Sequence, residues 1–152
     1  MEIDNLIHLV KLAVAEFYKR DQSLIEKDLC ERCMVHRLAV YLEEIFNGYN
    51  VDCEFNKSFY GDVVNNKVLS SINGNYVDII VNKRSNNLGE NLLCFEVKKE
   101  KNKRDRDKDG ENLKILTDPN RFGYVLGFNI ILGITFETTK IGIYSQGREY
   151  IG

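Results

Sequence analysis

The chain has 152 residues, 43% of them hydrophobic and 29% charged, with a single proline, which is the size and composition of one folded domain and excludes a disordered chain. Its 21 basic and 23 acidic side chains leave a formal charge of −2, so no global positive field draws it to nucleic acid or an anionic membrane. Any polyanion site must be local.

A chain of this length buries enough surface to hold a core without staples, so the four cysteines are not obliged to form disulfides. The most apolar stretch, residues 122–136, is too short to span a bilayer and carries Asn129 and three glycines. Glu2 and Asp4 stand where an export signal would be basic, and Lys11 breaks the apolar stripe, which predicts a cytoplasmic protein with reduced thiols.

In chain order, Ile3, Leu6, Ile7, Val10, Ala13, Val14 and Phe17 recur at three and four and predict an amphipathic helix over 1–20. Ser23 and Glu26 have the spacing of a capping box, which predicts a second helix over 24–46 that stops at Asn47-Gly48. Strand signals follow at 51–60 and 63–72, then at 76–81 and 92–97, the last two joined by a hairpin loop over 84–90. The run 98–109 holds seven basic and four acidic residues and leads into a short helix, capped by Asp107 or Asp109 and ending before Pro119. Strands at 122–135 and 140–144 complete the chain. The reading is a single α/β domain over 1–152, a central mixed sheet flanked by helices, with no repeat or linker.

Alternation puts Val77, Ile79 and Val81 on one face of their strand and Asp78 on the other, while Glu96 and Lys98 point away from Leu93, Phe95 and Val97. If the hairpin is centred on Asn87, opposed residues sum to 174, so Asp78 faces Glu96. Facing carboxylates repel and call for a cation, either Lys98 or a metal ion. On the long helix Glu31 lies in line with Val35, Leu38, Leu42 and Ile45; it is either a third acidic ligand or a residue at the rim.

Asp78, seventeen intervening residues and then Glu96-Val97-Lys98, preceded by a helix over 31–39, resemble the PD-(D/E)XK nuclease superfamily and, in that helix, its prokaryotic members. Val77 stands where the name-giving proline would be. The resemblance covers residues 23–145 and implies a restriction-endonuclease-like αβββαβ core, to which residues 1–20 add a helix. It also implies a metal-dependent nuclease in which Asp78, Glu96 and the Val97 carbonyl hold Mg²⁺ or Mn²⁺, Glu31 assists, and Lys98 orients or deprotonates the attacking water. Lys114 would touch substrate. Lys99, Lys101, Lys103 and Arg104 are either a solvated loop or an arm along a phosphate backbone.

The partner implied is nucleic acid, DNA ahead of RNA, with a homodimer left open. A catalytically inactive module of the same fold, binding nucleic acid or protein, is the alternative. Cys30, Cys33, His36 and Cys53 can also be written as a zinc site, but Cys30 and Cys33 fall toward the polar side of the helix. Arg37 and Glu44 are read as an exposed pair or a support for the site, and the scattered aromatic residues as core.

Overall fold

The computed structural model describes residues 1–56, 76–85 and 88–152. The strand expected at 63–72, the end of that expected at 51–60, and Asn86 and Asn87 of the hairpin loop lie outside the described residues.

Helix α1 spans Ile3–Glu26 and α2 spans Glu31–Ile45. The capping-box expectation is overturned: Ser23 and Glu26 lie inside α1, and the chain breaks after Glu26. Leu29 N–H bonds the Leu24 carbonyl and Asp28 N–H that of Ile25, the paired bonds of a Schellman motif, with Asp28 in the left-handed region at φ 51°. Asp is among the few residues other than glycine that visit that region with any frequency, so the stop carries no glycine to announce it. α1 buries Leu6, Val10, Ala13, Val14 and Phe17, and α2 buries Met34, Val35, Leu38 and Leu42. Asp21 is non-helical at a kink in α1; its carboxylate takes the Tyr41 hydroxyl and the Arg37 guanidinium. Arg37 therefore supports the α1–α2 contact, and Glu44 pairs with Arg20 instead.

Among the described residues six strands form one mixed sheet in sequence order: β1 (Asn50–Asn56), β2 (Tyr76–Asn82), β3 (Leu93–Lys99), β4 (Leu126–Leu132), β5 (Lys140–Ser145) and β6 (Arg148–Glu149). β3 and β4 are parallel, joined by a crossover through α3 (Arg106–Thr117); the other neighbours are antiparallel. The residue before α3 is Asp105, in the left-handed region at φ 56°, rather than Asp107 or Asp109. The β2–β3 register pairs Ile79 with Phe95 and Val81 with Leu93, which sums to 174 as the hairpin reading requires.

The sheet separates two apolar clusters. α1 and α2 pack with Ile79, Val81, Leu93, Phe95, Val97, Phe128 and Ile130. On the other face Leu113 and Leu116 of α3 pack with Ile80, Cys94, Phe122 and Tyr124. Gly127 lets α3 approach β4, because a Cβ there would lie 3.1 Å from Thr117 and 3.2 Å from both Cys94 Sγ and Leu113. Val77, expected beside Ile79 and Val81, belongs to the smaller cluster; the change falls at Asp78, where β2 leaves β3. Among the described residues no helix is long and apolar enough to cross a membrane.

Candidate functional site

The ladder between β2 and β3 runs from Val81–Leu93 to Ile79–Phe95, yet β2 begins at Tyr76 and β3 continues to Lys99. Beyond the last pair the strands fork. Backbone N–H groups freed inside a protein must find another acceptor. On this edge of β3, Val97 N–H donates to Asp78 Oδ2 at 2.8 Å, and Lys99 N–H donates to Glu31 Oε2 at 3.1 Å. Two carboxylates thus replace the missing carbonyls of β2.

Glu96 immediately precedes the first of these amides, faces the α3 side of the sheet and is 6% exposed. Burial pushes its carboxyl well up, and the charges of Asp78 and Asp109 push it further. It stands close enough to Asp78 for the two carboxyls to share a proton, Glu96 donating. Burial also raises Asp78, while the Val97 N–H, the Glu96 carboxyl and the Lys98 charge pull it back. Glu96 Oε1 is buried with no hydrogen-bond partner, and so is Oδ1 of Asn129, the residue beside Glu96 in the parallel β3–β4 register. Equivalent positions of neighbouring strands share a face, so two oxygens without donors flank one spot.

Lys98 Nζ lies 3.3 Å from Asp109 Oδ2, an ion pair whose side chains are 13% and 8% exposed. Burial pushes Asp109 up to about 6, although Lys98 pulls the other way. Asp109 and Asn129 complete the constellation, and sequence reasoning gave neither a part in it. A signal for Asp109 existed, because it stands in line with Leu113 and Leu116 at helical spacing, the same reason that singled out Glu31. The partnership of Asn129 depends on a parallel pairing across a crossover, which no local pattern announces.

Glu31 begins α2 instead of sitting within a longer helix. Besides the Lys99 amide it accepts from the Asn102 side chain at 3.0 and 3.3 Å, so it braces the end of β3. It also lines, with Asp78, a cleft of about 560 Å³ whose other walls are Arg32, Val35, His36 and Cys53. Among the described residues no three His, Cys, Asp or Glu side chains form a metal-holding group.

The basic residues lie in three places. Lys99 and Lys101 reach Asp28 at 3.2 and 3.4 Å, which ties the β3 end to the turn after α1. Lys103 and Arg104 are exposed on the loop that follows. Lys103 shares a second cleft, of about 550 Å³, with Lys99, Lys101, Ile25, Met34 and Leu132. Lys114 projects from α3 and pairs with Glu111 at 3.2 Å, its surroundings including Tyr144 and Glu149.

Comparison with protein-family models, with curated proteins and with solved structures yields no match to this chain.

Proposed function

We propose that this protein is a divalent-cation-dependent nuclease of the PD-(D/E)XK type, hydrolysing phosphodiester bonds with DNA as substrate ahead of RNA. The observation that carries the reading is the fork between β2 and β3, which gathers Asp78, Glu96 and Lys98 around a buried Glu96 oxygen that lacks a donor. The element order from α2 through β4, helix, three strands, helix, strand, supports the αβββαβ arrangement that the resemblance implies, with α1 as the additional helix.

The donor set fits a hard cation. Two adjacent carboxyls, both pushed upward by burial, and an orphaned oxygen are what a site for Mg²⁺ or Mn²⁺ leaves behind when charge is missing. Asp78, Glu96 and the Val97 carbonyl would hold the ion. Such an ion supplies charge neutralisation at the phosphoryl oxygens and a more acidic water. Lys98 Nζ, drawn against Asp109 as an ion pair, would orient the attacking water by donating to it. Glu31 acts by holding Lys99 N–H and so fixes the far end of the catalytic strand.

A second reading, a nuclease-fold module that binds without cutting, is favoured by the internal pairing of the charges: Lys98 with Asp109, and Glu31 with Lys99 N–H and Asn102. One experiment separates the two. Purified protein is titrated with Mn²⁺ in a thermal melt and incubated with labelled DNA and RNA in single-stranded, duplex and flapped forms. Expected are a rise in melting temperature and cleavage of at least one substrate, both lost in Asp78→Ala. Binding without cleavage of any form would replace the nuclease reading with the module, and absence of any Mn²⁺ effect would remove the cation.

A further inference from the structure

The first turn of α2 carries a pair of thiols that the hydrolytic site does not use. Cys30 is the extended residue before the helix and Cys33 lies in its first turn, with Cys33 N–H bonded to the Cys30 carbonyl at 3.2 Å. This turn directs both side chains the same way: the two Sγ atoms are 2.8 Å apart, and both residues are exposed. The sulfurs stand only about 0.8 Å beyond the length of an S–S bond. The other two cysteines lie elsewhere in the fold. Cys94 is buried behind α3, where burial pushes its thiol well up, and Cys53 is exposed on β1 at the cleft lined by Glu31.

The two thiols are also unequal. The Cys33 thiol, and after it the Cys33 backbone N–H, hold Cys30 below the usual thiol range, while the Cys30 sulfur pushes Cys33 above it. A thiolate at a helix start is favoured by the unsatisfied N–H groups there, and an exposed thiol of lowered pKa is the reactive one.

We propose that Cys30 and Cys33 form a reversible dithiol–disulfide site, oxidised by organic disulfides of the glutathione class, with Cys30 as the attacking thiol and Cys33 as the resolving one. Cys30 thiolate attacks one sulfur of the organic disulfide; that S–S bond breaks, one thiolate leaves, and a mixed disulfide forms at Cys30 Sγ. Cys33, losing its proton, attacks Cys30 Sγ and expels the second thiolate. The protein pair loses two electrons and two protons, and the organic disulfide gains them as two thiols. Glu31 lies between the two cysteines with its carboxylate on Lys99 N–H, so ring closure stiffens the turn from which β3 is braced. The chemistry of the pair does not depend on the nuclease reading.

The test uses the full chain, fully reduced and then equilibrated with rising ratios of oxidised to reduced glutathione, quenched with an alkylating agent and mapped by peptide mass spectrometry. Alkylation is expected to be lost at Cys30 and Cys33 together, with a link inside the one peptide that a dithiol reductant reverses. Cys33→Ser is expected to accumulate a glutathionyl adduct on Cys30, and Cys30→Ser to modify Cys33 more slowly at the same pH. Continued alkylation of both thiols while Cys53 forms an adduct would overturn the proposal. So would a disulfide that joins either residue to Cys53.

Discussion

Glu96 shares its surroundings with two other carboxyls, Asp78 and Asp109, and all three are raised in the folded protein. Each binds its proton more tightly folded than unfolded, so the stability it contributes is complete below the ordinary carboxylate range and is lost as pH rises through the folded value, about 6 for Asp109. The cation-free protein is therefore expected to lose stability as pH rises from the ordinary carboxylate range through about 6 and beyond, and Glu96→Gln to lose less, in urea melts across that range. A loss as large in the variant as in the wild type would mean that Glu96 is not the group responsible. Lys98→Ala is expected to keep the Mn²⁺ shift in melting temperature while turnover falls by roughly 10²- to 10⁴-fold, read in single-turnover cleavage. Undiminished turnover would remove Lys98 from the chemistry.

The approach of Asp78 to Glu96 follows the hairpin arithmetic only in part: the sum of 174 holds in Ile79–Phe95, where the ladder stops one pair short of them. Asp109 and Asn129 come from beyond that hairpin and enter through α3 packing and the β3–β4 pairing, which the local pattern does not encode.

Among the elements, α2 shows where periodicity succeeds and where it fails. Helical spacing points Val35, Leu38 and Leu42 inward, and they are buried; it starts the helix seven residues too early, because Ser23 and Glu26 mimic a cap while the real stop is Asp28. That shift turns Glu31 from a mid-helix carboxylate into a first-turn one that reaches Lys99 N–H. Asp28 holds a left-handed backbone and also receives Lys99 and Lys101. Asp28→Ala removes two exposed ion pairs and leaves an alanine in a left-handed conformation that Asp tolerates better. A lower urea midpoint is expected, dominated by the backbone. If high salt destabilised the wild type and the variant differed from it only at low salt, the ion pairs would be the larger part.

Over the whole molecule, a net charge of −2 provides no long-range attraction for a polyanion, so the nucleic acid of the proposed function would have to be held by particular side chains. Lys101, Lys103 and Arg104 are exposed along the loop after β3, next to the strand that bears Glu96 and Lys98. Replacing all three with Ala is expected to weaken DNA binding and to reduce the slope of log affinity against log salt by about 2–3, roughly one unit for each phosphate that is no longer neutralised. An unchanged slope would place the phosphate-binding side chains elsewhere. The α/β class is readable from alternating periods, whereas the two-residue strand β6 carries no pattern long enough to register.

The seam between β2 and β3 behaves like a zip left partly undone, its lips pinned by acidic groups drawn from different parts of the chain. A fully closed seam would have no aperture. Altering either pin therefore changes the width of the opening along with its contents, and an impaired variant can retain every reacting atom and still be the wrong shape.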